Sequence, residues 1–265
     1  MLVIKNVRKT FNKGTVNEKK ALRGINLTLN DGDFVTIIGG NGAGKSTLLN
    51  MIAGAYPVDS GIIEIDGENI TKQPECKRAK YIGRVFQDPM KGTAADMQIE
   101  ENMALAFRRG EHRRLRWAVT QKEREFYKDA LERLGLGLQS RMTSKVGLLS
   151  GGQRQALTLL MATLKRPHLL LLDEHTAALD PKTASKVLAL TEEIVGENHL
   201  TALMVTHNMN DAIRIGNRLI MMSDGKIIYD VAGEEKKKLT VEDLLQKFEE
   251  ASGGTFANDR MMLAR

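Results

Sequence analysis

The stretch Gly39-Gly40-Asn41-Gly42-Ala43-Gly44-Lys45-Ser46-Thr47 constrains this chain more than any other. It fits G-x-x-x-x-G-K-[ST], the pattern of a loop that cradles phosphates. Ahead of it, Phe34-Val35-Thr36-Ile37-Ile38 is apolar and β-branched, which predicts a buried strand. Behind it, Leu48, Leu49, Ile52 and Ala53 recur at helical spacing until Gly54 ends the run. Strand, glycine loop and helix in that order turn a pattern match into a candidate site. Ordinary glycine and lysine usage makes a chance match roughly a one per cent event in a chain this long.

The residue types suit the chemistry. Glycines let backbone N–H groups close around phosphate oxygens, because no Cβ blocks the approach. A helix starting near Lys45 adds the positive end of its dipole. Lys45 is placed to reach the β- and γ-phosphates, and Ser46 to put its hydroxyl on Mg2+.

The 265 residues, 42% of them hydrophobic, can bury a sizeable core as one large or two smaller domains. No run approaches the ~18 apolar residues of a membrane span. Met1 to Arg8 carries early charges and does not read as a secretory signal. A single cysteine, Cys76, allows no internal disulfide and fits a reducing compartment. The net charge of +6 would suit nucleic acid, anionic lipid or nucleotides, and is also ordinary for an enzyme. Aromatics at 5% argue against a binder that stacks single-stranded bases.

Leu2-Val3-Ile4, Ile25 to Leu29, Gly61 to Asp66 and Tyr81 to Phe86 read as strands. Asn12 to Lys20 is polar and basic and reads as a loop or hairpin tip, with Phe11 at its start. Phe11 could stack on a purine or simply end a strand half-buried. Between Asp96 and Leu164 strand signals vanish and helical spacing takes over, as in Leu131, Leu134 and Leu138. That segment reads as a helical insertion in an α/β body. It holds Arg108, Arg109, Arg113, Arg114, Arg116 and Trp117, either a docking surface for an acidic or phosphate-bearing partner or a solvated helix face.

Leu169 to Leu172, ending in Asp173 and Glu174, suits a strand buried on both faces with acids at its C-terminal end, where open α/β sheets bind ligands. Pro181 to Val195 predicts a helix with proline in its first turn, and Thr201 to Thr206 another buried strand, followed directly by His207. Ser223-Asp224-Gly225 signals a hairpin, and Thr240 to Asp243 a helix start.

A second glycine motif, Leu149-Ser150-Gly151-Gly152-Gln153, heads a helix running through Gln155, Leu159 and Met161. Two phosphate cradles in one chain could hold two phosphates, or could share one nucleotide between two chains.

Taken together, these motifs resemble the ATP-binding subunits of ABC transporters. The resemblance covers Leu2 to about Phe248. It implies a P-loop NTPase of ABC type: an α/β fold with a mixed sheet, an N-terminal antiparallel β subdomain and an inserted α-helical subdomain. Residues 1–248 would form the ATPase domain, with the helical subdomain at about 96–164, and 249–265 a C-terminal tail.

The implied cofactors are ATP and Mg2+. Gly39, Asn41, Gly42, Ala43, Gly44, Lys45, Ser46 and Thr47 form the Walker A loop, and Phe11 falls where the family stacks adenine. Asp173 ends the Walker B strand and would hold Mg2+, with Ser46 and with Gln87 of the Q-loop. Glu174 would be the general base, and His207 the switch histidine that fixes Glu174 and water against the γ-phosphate. Ser150, Gly151, Gly152 and Gln153 would act on ATP held by a second copy of the chain, next to Asp180 of the D-loop, in a head-to-tail dimer. His175 stands where the family more usually has proline; this alters the D-loop approach and removes no catalytic group, so a competent ATPase is expected.

The resemblance further implies transmembrane permease partners, an extracytoplasmic solute-binding protein and a place on the cytoplasmic face of the membrane. Gly40-Asn41 and Glu174 to Ala178 look like ATPases of bacterial importers, some tied to tryptophan or tyrosine uptake. The competing function is a soluble ABC ATPase acting on nucleic acid or ribosomes. Relatives of that kind carry two ATPase halves or a long coiled-coil insertion, and this chain has neither, so no nucleic-acid partner is expected.

Overall fold

The four leucines Leu169 to Leu172 are all buried, and they alternate between two cores. Leu169 and Leu171 pack into one, Leu170 and Leu172 into the other. This is how a central strand with both faces covered behaves. Each buried leucine contributes about 1.5–3 kcal/mol of apolar burial.

The computed structural model describes residues 1–111 and 118–252. Arg113, Arg114, Arg116 and Trp117 of the basic cluster, and the tail from residue 253, lie outside the described residues. Strands β1 (Leu2–Phe11), β2 (Lys19–Leu29), β3 (Phe34–Gly39), β4 (Ser60–Ile65) and β5 (Glu68–Asn69) are followed by β6 (Ile82–Val85) and β7 (Leu169–Asp173). The last strands are β8 (Ala202–Val205), β9 (Arg218–Ser223) and β10 (Lys226–Ala232). The helices are α1 (Lys45–Ala53), α2 (Glu75–Arg78), α3 (Ile99–Phe107), α4 (Gln121–Glu132), α5 (Gly151–Thr163), α6 (Pro181–Glu197), α7 (Met209–Arg214), α8 (Gly233–Lys237) and α9 (Val241–Ser252).

Two sheets result. An antiparallel sheet has the order β2-β1-β4-β5, and a mixed sheet has the order β10-β9-β3-β8-β7-β6. In the mixed sheet β6, β7, β8, β3 and β9 run parallel, and only the β9–β10 hairpin is antiparallel. The predicted α/β architecture with an N-terminal antiparallel sheet is what the chain adopts. One core joins α1 to both sheets through residues such as Leu48, Ile52, Ile37 and Ile63.

The helical segment has a core of its own, with Ile99, Met103, Tyr127, Leu131 and Leu157. Helix α5 belongs to both bodies: Leu157 and Met161 face that core, while Leu159 and Ala162 face the mixed sheet. Gln155 of α5 is fully buried and donates from Nε2 to Phe86 O at 3.1 Å. The helix is thereby fastened to the segment just before Gln87.

The basic cluster turns out differently from either expectation where it is described. Arg108 Nη2 bonds both oxygens of Glu123 at 2.8 and 3.0 Å, and Arg109 donates to the carbonyls of Ala162 and Lys165. These two arginines fasten the end of α3 to α4 and to the end of α5. The spacing of the sequence could not show this, because the partners come from distant elements.

Candidate nucleotide site

The loop between β3 and α1 bends through two left-handed glycines, Gly42 at φ 80° and Gly44 at φ 102°. A Cβ on Gly44 would lie 2.6 Å from Ala21 O, so this position demands glycine on steric grounds as well. Gly39 ends β3, where a Cβ would meet Met222 O at 2.3 Å. Gly225 N donates to Ala43 O at 3.0 Å and pins the loop to the β9–β10 turn. Lys45 is buried, and its Nζ donates to Gly39 O at 2.7 Å and Gly40 O at 3.1 Å, which holds the ammonium over the loop.

A cleft of about 490 Å³ opens above this loop. Asn41 to Thr47 form its floor, Phe11, Lys19 and Ala21 one wall, and Gln87, Glu174 and His207 the other. Parallel strands β7 and β8 deliver the acids and the histidine to the same end of the sheet. Asp173 pairs with Val205, and Glu174 N donates to Val205 O at 3.0 Å. Glu174 then turns at φ 47°, a left-handed conformation that a glutamate seldom adopts. His207 Nε2 lies 2.6 Å from Glu174 Oε1.

Asp173 receives a hydrogen bond from Ser46 Oγ on its Oδ1 at 3.3 Å. Burial, reinforced by the neighbouring Glu174 charge, pushes the Asp173 carboxyl above its usual value, while the cations Arg84 and Lys45 and the Ser46 bond oppose that rise. The loop's backbone N–H groups and Lys45 are donors suited to phosphate oxygens, and Ser46 and Asp173 bring two hard oxygen donors together, a set suited to Mg2+. Among the described residues no group of three or more His, Cys, Asp or Glu could hold a metal alone.

Phe11 stands at the cleft with the edge of Tyr56 against it, ring centroids 5.4 Å apart, and with Lys9 Nζ 5.5 Å from its centroid. Lys19 was not foreseen. It pairs with Phe11 across the β1–β2 register, and a Cβ on Gly42 would come within 3.1 Å of its Nζ. The polar run Asn12 to Lys20 gave no sign of where the hairpin would close.

Ser150, Gly151, Gly152, Gln153 and Asp180 do not line this cleft. Ser150 caps α5: its Oγ accepts from Gln153 N at 3.3 Å, and Ser150 N donates to Gln153 Oε1 at 3.2 Å. Asp180 caps α6 by accepting from Thr183 N at 3.1 Å. Gly152 packs so closely that a Cβ would sit 2.1 Å from Thr183 Cγ2, whereas a Cβ on Gly151 would meet only Leu179 Cδ2 at 3.5 Å. His175 is buried at 2% exposure, with Nε2 3.0 Å from Thr191 Oγ1 on α6, and burial lowers its pKa to about 4.

The mixed sheet, glycine loop and acid–histidine pair define a nucleotide-binding ATPase of the ABC type. The family model described as ABC transporter matches residues 22–177. The tyrosine transport ATP-binding protein of Clostridioides difficile (strain R20291) is 46% identical over 251 residues, spanning 95% of this chain and 100% of that protein. The thiamine import ATP-binding protein ThiQ of Salmonella choleraesuis (strain SC-B67) is 37% identical, over 79% of this chain and 84% of that one. Among solved structures, the ATP-binding cassette MJ0796, dimeric in a post-hydrolysis state with ADP and Pi, superimposes with a TM-score of 0.75 at 30% identity, over 88% of this chain and 98% of that chain. The chain belongs to the ABC transporter family, as an ATP-binding subunit. Among the described residues no helix is long and apolar enough to cross a membrane.

Proposed function

We propose that this protein hydrolyses MgATP to power a bacterial solute importer, with an aromatic amino acid of the tyrosine kind as solute. The observation that carries the hydrolytic part is the Glu174–His207 pair facing Lys45 and Ser46 across one cleft. The amino-acid part rests on 46% identity, over 95% of this chain, to a tyrosine transport ATP-binding protein.

In this reading Gly39 to Thr47 bind the phosphates, and Phe11 stacks on the adenine. Ser46, Asp173 and Gln87 would hold Mg2+, which would neutralise charge on the phosphates. Glu174 takes a proton from the attacking water, and His207 orients Glu174. Ser150, Gly151, Gly152 and Gln153 cover the ATP of a second copy, with Asp180 at the same interface. The two cradles of one chain lie apart, and the dimeric ADP and Pi cassette supports this arrangement. Closure excludes water and strengthens every charge contact on the phosphates. The dimer docks peripherally on permease subunits at the cytoplasmic face, served by an extracytoplasmic binding protein.

Detergent extraction of the tagged protein from its own cells tests the assignment. Recovery of integral membrane subunits that, reconstituted with it, take up labelled tyrosine in an ATP-dependent way is expected. Recovery with ribosomes or DNA in place of membrane subunits sinks it.

A further inference from the structure

Arg84 has no part in the roles assigned above, yet it is a charged side chain at 12% exposure on strand β6, three residues before Gln87. Its guanidinium meets three side chains. Nη2 donates to Asn50 Oδ1 on α1 at 2.7 Å. Nη1 lies 3.6 Å from Glu75 Oε1 at the start of α2. Cζ sits 4.4 Å from the centroid of the Phe86 ring. Nε is buried with no partner among the described residues.

Asn50 carries the connection to the cleft. Its Nδ2 donates to Ser46 O at 2.7 Å, and Ser46 Oγ donates to Asp173 Oδ1 at 3.3 Å. Strand β6 runs parallel to β7, with Arg84 opposite Leu171, so Arg84 also stands beside the strand that ends in Asp173. Its positive charge opposes the rise of the Asp173 carboxyl that burial causes. Asn50, Ser46 and Asp173 therefore form a chain, and Arg84 acts on both of its ends.

A largely covered guanidinium is costly to desolvate, and a methionine of similar length would pack on Phe86 without that cost. The charge gains its use at Asp173, where it counters the neighbouring Glu174 charge. The fork gains its use from geometry, since a planar donor can hold Asn50 and face Glu75 at once.

We infer that Arg84 is a positioning residue for the metal-holding pair: through Asn50 it sets the place of Ser46, and by its charge it steadies Asp173 and the strand leading to Gln87. This rests on the reading of Ser46 and Asp173 as the Mg2+ ligands. Removing Arg84 should therefore weaken the response to Mg2+ and leave the phosphate cradle itself intact.

The test is nucleotide binding without turnover. A fluorescent ATP analogue is titrated onto the Glu174→Gln protein in EDTA and across a Mg2+ series, and onto the same protein carrying Arg84→Met, Arg84→Lys or Asn50→Ala. The expected result is an affinity in EDTA within about twofold for all of them, and a Mg2+ half-point raised about 10-fold or more by Arg84→Met and by Asn50→Ala, the size usual for losing an outer-shell partner. Arg84→Lys, which keeps the charge and loses the fork, should fall between, and Arg84→Met with Asn50→Ala should add little to the worse single change. If Arg84→Met does not fold, the lysine and alanine variants carry the same comparison. A Mg2+ half-point unmoved by these changes overturns the role of Arg84 alone. A parent protein whose nucleotide binding shows no Mg2+ effect overturns the metal-pair reading and this inference with it.

Discussion

His207 Nε2 and Glu174 Oε1 are 2.6 Å apart, a contact between residues that follow two neighbouring parallel strands. Glu174 reaches it only by turning through a left-handed backbone angle of 47° just after β7. Such a conformation in a residue other than glycine costs about 1–3 kcal/mol and is kept where the surrounding structure holds it. Here Glu174 N is bonded to Val205 O on one side, and Ala177 N to Glu174 O on the other.

The first prediction concerns that pair. Glu174→Gln should lower ATP turnover about 100-fold or more, the range of a lost general base, with nucleotide affinity nearly unchanged. ATP should then trap a dimer visible by size-exclusion chromatography. His207→Ala should cost turnover on a similar scale, and the double variant should be little worse than either single one, because the two act as a unit. Steady-state rates at saturating MgATP decide it, and full turnover by Glu174→Gln ends the assignment.

Phe11 should act on binding and not on chemistry. Phe11→Ala should weaken ATP binding by about 1–3 kcal/mol, the usual worth of one stacked base, with turnover at saturation close to that of the parent. Phe11→Tyr should restore affinity. An unchanged Kd on losing the ring would show that Phe11 only closes the end of β1.

Two adjacent glycines separate packing from partner contact. Gly152→Ala should destabilise the single chain, because its Cβ would press on Thr183 Cγ2 at 2.1 Å. Gly151→Ala meets only an ordinary contact at 3.5 Å, so the melting temperature should hold. If the motif covers a partner's ATP, Gly151→Ala should still cut turnover and ATP-driven dimerisation. Unimpaired dimers and rates would remove that motif from the mechanism.

His175 should make folding sensitive to acid. Burial lowers its pKa from 6.5 to about 4, so between those values the unfolded chain binds more protons than the folded one. Stability from this group is complete above about pH 6.5 and is lost as pH falls towards 4, about 3 kcal/mol in all. Replacing His175 by Leu together with Thr191 by Val removes both partners of the 3.0 Å contact. Urea midpoints measured between pH 7 and 4 should then fall less steeply than in the parent, and equal slopes would show that another group titrates.

Part of this protein could be read along the chain because its signals are local. Glycine's freedom at Gly42 and Gly44, the helical spacing after Lys45 and the unbroken apolar run before Asp173 each report on a few neighbouring residues. Even the caps at Ser150 and Thr240 follow from residues three apart. Local rules therefore reached most of the strands and the α1, α5 and α6 helices, and the order of the motifs, through a family resemblance, supplied the fold class and most of the cleft's wall.

What lay beyond them required distant segments to meet. Lys19 comes to the loop through a strand register that the polar run before it does not encode. Arg108 and Arg109 look like surface charge until Glu123 and the end of α5 arrive to bond them. Arg84 looks like an interruption in an apolar strand until Asn50, Glu75 and Phe86 surround it. A charge does not specify its partner in advance, because Coulomb attraction and hydrogen bonding act through space. The sequence by itself determined a phosphate-binding α/β chain, and only the tertiary structure decided which cations serve its cleft and which hold its helices in place.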